Sequence, residues 1–198
     1  MRTLSSDDRI RRLALDAALL GLTLILSFVE ALVPLTAWIP LPGFKPGLSN
    51  LGILAAAYLC SVPDCAAVSA GKVIITALLF GSAPSFLFSA SGALAVILLL
   101  ALIRHLPFSG KCFSFVGISV LCAVFHNLGQ LTAAMIVMNG TAVFSYAPAL
   151  LAASCLYGTV NGLILNTILP RSLRYEKNSF LHSASPSSPD RSFRMRKK

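Results

Sequence analysis

Residues 84–104 have the sequence PSFLFSASGALAVILLLALIR, in which the first charged side chain is Arg104 at the very end. An apolar helix of about 20 residues is long enough to cross the hydrocarbon core of a bilayer. Further apolar segments lie on both sides of this one, at residues 13–33, 47–62, 66–81, 112–138 and 145–170. We therefore predict an all-α, polytopic membrane protein with six transmembrane helices arranged as a bundle.

The composition of the whole chain agrees with this class of protein. Of the 198 residues, 56% are hydrophobic and 12% are charged, and the mean hydropathy is +0.80. Soluble domains carry about 25% charged residues, so the composition excludes an ordinary water-soluble enzyme. The net charge of +9 comes mainly from the two ends of the chain. We therefore assign it to membrane orientation and predict no nucleic-acid partner.

The distribution of basic residues predicts three regions and one orientation. Residues 1–12 form a basic arm, residues 13–172 the six-helix membrane domain, and residues 173–198 a basic, serine-rich tail that is expected to be disordered. Basic residues mark the cytoplasmic side of a bacterial inner membrane, which would then hold both termini and the connection after Arg104. The tail is expected to rest on anionic membrane lipid.

The sequence makes two predictions about how the helices pack, one for the second and third segments and one for small residues. The short second and third segments are expected to form a helical hairpin, tilted or buried among its neighbours, with Pro63 and Asp64 in the turn. Small residues four positions apart allow helices to approach closely in lipid. Such pairs serve packing within one chain or docking of another subunit. For Ala14 and Ala18 on the first helix, we predict docking.

The connection before the second helix is a candidate binding loop. It has the sequence PLPGFKPGLSN over residues 40–50 and contains Lys45, Gly47 and Asn50. Lys45 is the one basic residue on the predicted outer side, and the amides and dipole of a helix N-terminus beside it also attract anions. The alternative is a plain turn whose lysine extends to lipid headgroups.

Polar residues inside the apolar segments are the other candidates for a binding site. His126, Asn127 and Gln130 lie together on the fifth segment, and Glu30 and Lys72 are buried charges on the first and third. Such groups usually face the bundle interior or a cavity. We predict that they line a polar pocket open to the outside. The alternatives are an interhelical hydrogen-bond cluster and an ion pair that only specifies packing. Asn161 and Asn166 are expected to be interhelical hydrogen-bond donors.

The sequence contains no pattern that indicates catalysis, a cofactor or a metal site. The five cysteines are scattered, and none has zinc-type spacing to a histidine. Asp7 and Asp8 do not complete the DDxxD motif with which prenyl synthases hold magnesium diphosphate. A phosphate-binding GxxxxGK[ST] loop is also missing from the sequence, so any ATP hydrolysis must come from another subunit.

Three motifs resemble those of the Gx transporter family, which is also labelled heptaprenyl diphosphate synthase component I. They are PGFKPGLSN at 42–50, GKV at 71–73 followed by LLFGS at 78–82, and HNLGQL at 126–131. That family is similar in layout to the S components of energy-coupling-factor (ECF) transporters. The resemblance covers about residues 12–172. Two positions depart from the family pattern, because Lys72 stands where arginine is usual and Pro46 where leucine is common.

The resemblance implies six helices, a ligand site near the outer face and a first helix that docks on an ECF-type transmembrane coupling subunit. We therefore predict a substrate-binding membrane subunit for uptake of a small anionic solute, powered by separate ATPases. The alternative is a non-catalytic accessory subunit, component I, in heptaprenyl diphosphate or quinone synthesis. In either case the chain itself is expected not to be an enzyme.

Overall fold

The structure is a computed structural model, and it describes residues 6–32, 47–80, 83–105 and 114–168. These residues form six α-helices and one short 3₁₀ helix, Thr141–Tyr146. The α-helices are α1 (Ser6–Leu32), α2 (Asn50–Leu59), α3 (Val62–Phe80), α4 (Ala83–His105), α5 (Phe115–Met138) and α6 (Ala147–Ile168). The prediction of an all-α, six-helix bundle is confirmed. Lys45 and the tail after residue 168 lie outside the described residues.

Five of the helices are long and apolar enough to cross a membrane, which makes the chain a multi-pass membrane protein. Their membrane-compatible stretches are Arg9–Glu30, Val62–Leu79, Ala83–Ile103, Phe115–Met138 and Val143–Ile168. Helix α2 has only 10 residues. At 1.5 Å per residue it covers about half of the hydrocarbon core.

Helix α2 is buried among its neighbours, which is one of the two arrangements that the sequence allowed for the short second and third segments. The third segment is not short, because α3 has 19 residues and is long enough to cross a membrane. Most of the side chains of α2 are buried, namely Gly52, Ile53, Leu54, Ala55, Ala56 and Tyr58. Ile53 and Leu54 belong to a core cluster that also contains Leu19 of α1, Cys65 of α3, Leu99 of α4 and Leu165 of α6. The N-terminus of α2 therefore lies inside the protein, where it can contribute to a site.

The connection between α2 and α3 differs from the prediction. Pro63 and Asp64 are not in the turn, because α3 already begins at Val62 and they occupy its first turn. Proline is favoured there, since the first helical residues need no amide hydrogen. Asp64 Oδ2 accepts hydrogen bonds from Ser61 N at 3.0 Å and Ser61 Oγ at 2.7 Å. The aspartate therefore caps the start of α3.

Small residues allow several helices to pack closely, as their spacing predicted. A Cβ on Gly158 would lie 2.6 Å from Val120 Cα, and one on Gly162 would lie 2.7 Å from Val116 Cα. Both glycines therefore bring α6 against α5. In contrast, Ala14 and Ala18 on α1 are exposed. Their role in docking another subunit stays a prediction.

Candidate functional site

A polar cavity of about 120 Å³ lies in the interior of the bundle. All six α-helices contribute to its wall, together with the turn that precedes α2. An apolar cavity of about 150 Å³ is known to hold one benzene molecule. The cavity therefore suits a small organic molecule or a few water molecules.

The structure brings together seven of the eight residues that the sequence predicted for the binding site. They all line the cavity: Glu30, Gly47, Asn50, Lys72, His126, Asn127 and Gln130. The eighth, Lys45, lies outside the described residues. Two helices that the sequence did not connect with the site also contribute. Ser85, Phe86 and Ser89 come from α4, and Ser154, Tyr157 and Asn161 come from α6.

A tight turn leads into α2 at the cavity. Gly47 has a φ of +77°, in the left-handed region, where any residue with a side chain is strained. Its carbonyl accepts a hydrogen bond from Asn50 N at 3.1 Å, and Leu48 O accepts one from Leu51 N at 2.9 Å. Helix α2 therefore begins at Asn50, three residues later than the segment predicted from the sequence.

Glu30 and Lys72 are joined through a serine in this turn. Ser49 N donates to Glu30 Oε1 at 2.9 Å, and Ser49 Oγ donates to Glu30 Oε2 at 3.0 Å. Lys72 Nζ donates to the same Ser49 Oγ at 2.7 Å. All three residues are buried, with relative exposures of 8%, 3% and 9% for Glu30, Ser49 and Lys72. The bridge offsets part of the cost of burying two charges and ties α1, the turn and α3 together.

The polar residues of α5 are also fixed by hydrogen bonds. Gln130 Nε2 lies 2.9 Å from His126 Nε2, which matches the prediction that the two side chains share one helix face. Because an amide nitrogen can only donate, this ring nitrogen must be the acceptor. Asn127 Nδ2 donates to Ser154 Oγ on α6 at 2.6 Å, and that hydroxyl donates to Leu150 O at 2.6 Å. These hydrogen bonds therefore hold the polar side chains of α5 and α6 in fixed positions in the cavity wall.

Asn161 is a site residue whose position at the cavity was not predicted. The sequence indicated an interhelical hydrogen-bond donor, and Asn161 Nδ2 does donate to Gly47 O at 2.8 Å. The side chain is 2% exposed and lines the cavity. Within the described residues, its Oδ1 atom has no hydrogen-bond partner. The spacing of Ser154, Tyr157 and Asn161 along one face of α6 was the available signal.

A second group of polar side chains was also missed by the sequence analysis. Possible ligand atoms of Asp16, Cys60 and Asp64 all lie within 4.8 Å of one another. Each of these residues is partly buried, and Asp64 already accepts two hydrogen bonds from Ser61. Residues 16, 60 and 64 are far apart in the chain or lack a known ligand spacing, so the grouping of two carboxylates and a thiol from α1, the end of α2 and α3 depends on how the helices pack.

These features define a multi-pass helical membrane protein with a buried, charge-compensated polar cavity. Residues 19–168 match the family described as heptaprenyl diphosphate synthase component I, and the chain belongs to that family. This match confirms the family that the sequence motifs indicated. Neither a curated protein nor a solved structure matches the chain.

Proposed function

We propose that the chain is a non-catalytic membrane subunit that binds a small polar solute in its cavity and acts together with a separate partner protein. The observation that carries this proposal is the convergence of buried polar side chains from α1, α3, α5, α6 and the turn before α2 on one space. Buried polar groups in a membrane are costly and usually serve a ligand pathway or site. A role in packing alone would not require a cavity between them.

The family description supports a catalytic synthase subunit as the partner more directly than it supports an ATPase module. The chain belongs to the component I family of heptaprenyl diphosphate synthase, which favours an accessory role beside a catalytic synthase subunit. The sequence agrees with a non-catalytic role, because Asp7 and Asp8 do not form a complete DDxxD motif. The cavity of about 120 Å³ is too small for a chain of seven isoprene units, so the long product would bind elsewhere.

Solute uptake is the second candidate function, and the cavity is the observation that favours it. An uptake subunit needs an enclosed polar site, and it needs a separate ATPase module because this chain has no GxxxxGK[ST] loop. The exposed alanines Ala14 and Ala18 on α1 would then contact an ECF-type coupling subunit. In this role the protein would lie in a bacterial inner membrane with both termini in the cytoplasm.

The solute is proposed to be an anion. Lys45 lies two residues before Gly47, which lines the cavity at the start of α2. The cation at Lys45 favours negative charge nearby, whereas the Ser49 amide at the start of α2 already binds the carboxylate of Glu30. Replacing Lys45 with alanine should therefore weaken solute binding, while a lysine that only contacts lipid headgroups would leave the affinity unchanged.

Native mass spectrometry of the full chain, purified gently from membranes, tests the proposed function. We expect a small molecule to co-purify, and either a DDxxD-bearing synthase or an ATPase module to accompany it. The two partners distinguish the accessory role from uptake. The double variant Ala14→Leu/Ala18→Leu should keep the small molecule and lose the partner, whereas Ala152→Leu, at an exposed alanine on α6, should lose neither. A chain that carries neither molecule nor partner would contradict the proposal.

A further inference from the structure

One buried atom of a residue that lines the cavity restricts the chemistry of the proposed solute. The Oδ1 atom of Asn161 is buried and has no hydrogen-bond partner among the residues that the structure describes. The assignment of this atom as oxygen follows from the other half of the amide, because Asn161 Nδ2 donates to the carbonyl of Gly47 at 2.8 Å. The free atom is therefore an acceptor, and it is held in place.

Other polar groups that line the cavity have hydrogen-bond partners of their own. Lys72 Nζ and the Ser49 hydroxyl are engaged in the bridge to Glu30. The Asn127 amide donates to Ser154, and the Gln130 amide is bonded to His126. Water can satisfy a polar atom in a cavity of this size. A solute that displaces the water must supply a hydrogen-bond donor at this point or leave the acceptor unpaired.

We propose that Asn161 is a specificity-determining residue and that the solute carries an N–H or O–H group that donates to Asn161 Oδ1. This inference rests on the proposed solute-binding function and adds the chemistry of one end of the ligand. It is compatible with an anionic group at the other end, near the turn before α2. A buried acceptor without a partner disfavours ligands that cannot donate.

Two ring compounds of nearly equal size test this inference. In 2-pyrrolidinone an N–H stands where γ-butyrolactone has a ring oxygen, so only the lactam can donate. We expect the wild-type protein to bind the lactam about ten-fold more tightly than the lactone, which is the usual effect of leaving a buried acceptor unpaired. Saturation-transfer NMR on the full chain in lipid nanodiscs measures both affinities.

Two leucine variants on α6 separate ligand recognition from folding. Asn161→Leu removes the acceptor and should reduce the ratio of the two affinities to about one. Asn166→Leu makes the same change on the same helix, at a residue that does not line the cavity, and should keep the wild-type ratio. Thermal unfolding and helix content show whether each variant is folded. If Asn161→Leu does not fold, Asn161→Asp is measured instead. Aspartate keeps an oxygen acceptor at this position, so this variant should still bind the lactam more tightly than the lactone.

Three results would overturn the inference. The first is equal binding of lactam and lactone by the wild-type protein, and the second is a lactam preference that survives in folded Asn161→Leu. The third is the failure of both probes to bind at the highest concentrations at which the nanodiscs stay intact. None of these removes the proposed function, because a small molecule that co-purifies with the chain would still show that the cavity is a solute site.

Discussion

The hydroxyl of Ser49 lies between two buried charges, and the arrangement has an energetic consequence. Ser49 donates to the carboxylate of Glu30 and accepts from the ammonium of Lys72. Both charges are buried, because the two residues are at most 9% exposed. Removing one charge should therefore destabilise the protein more than removing both, since a single remaining charge has lost its compensation.

The variants Lys72→Met and Glu30→Gln/Lys72→Met test this expectation. Breaking a buried pair by removing one partner costs about 3–5 kcal/mol, so Lys72→Met should clearly lower the midpoint of thermal unfolding. The double variant should recover more than half of that loss, because glutamine keeps an oxygen acceptor for Ser49 without a charge. Midpoints are measured in one detergent at one protein concentration. A double variant that is no more stable than Lys72→Met would contradict the compensation.

The same residues show how far the site could be predicted from the sequence. Glu30, Lys72 and His126 were found because charged and imidazole groups are rare in apolar segments and must face the protein interior. Ser49 was not identified as a bridge, since a serine is inexpensive in a helix bundle and gives little signal. Asn161 was expected only to be an interhelical hydrogen-bond donor, because asparagine in a helix bundle commonly has that role and the sequence does not show that α2 begins inside the bundle.

Close contact between α4 and α5 determines where the histidine of the site lies. A Cβ on Gly92 of α4 would lie 2.8 Å from Cε1 and Nδ1 of His126 and 2.9 Å from its carbonyl oxygen. Glycine at this position therefore gives the imidazole ring the space in which it contacts Gln130. The ring cannot remain there if α4 gains a methyl group at residue 92.

The variant Gly92→Ala should destabilise the protein even though alanine is the better helix former. Overpacking of a tight contact costs about 1–3 kcal/mol, which exceeds the helix-propensity gain of about 1 kcal/mol. Gly117→Ala on α5 is the matched control, because no heavy atom beyond its own helix lies within 4 Å of the added Cβ. It should be neutral or stabilising. Unfolding midpoints compare the two, and equal midpoints would show that α4 shifts at no cost.

The sequence predicted which segments are helical better than it predicted the residues at which each helix begins and ends. The apolar segment 47–62 was expected to be one helix, whereas α2 covers only Asn50–Leu59. Hydropathy does not distinguish a short helix buried in the protein from one that crosses the bilayer, because both lack polar residues. Pro63 suggested a turn, but the residue fits equally well in the first turn of α3.

The whole molecule has an asymmetry of charge that predicts its orientation. Basic residues lie in the N-terminal arm, at Arg104 and Lys111 near the connection between α4 and α5, and after residue 170. On the opposite side the predicted connections contain one basic residue, Lys45. Cytoplasmic connections are enriched in lysine and arginine. The end of the bundle near Lys45 is therefore expected to face the outside, and the cavity beside Gly47 would open there.

Single-cysteine labelling in intact cells tests this orientation. In a background where the five native cysteines are replaced by serine or alanine, Lys45→Cys should react with a membrane-impermeant maleimide added outside. Phe108→Cys, in the connection between α4 and α5, should react only after the cells are permeabilised, and that reaction controls for accessibility of the thiol. Labelling of Phe108→Cys in intact cells would reverse the orientation. The cavity would then be reached from the cytoplasm, which is incompatible with uptake from outside but leaves an accessory role in prenyl diphosphate synthesis intact.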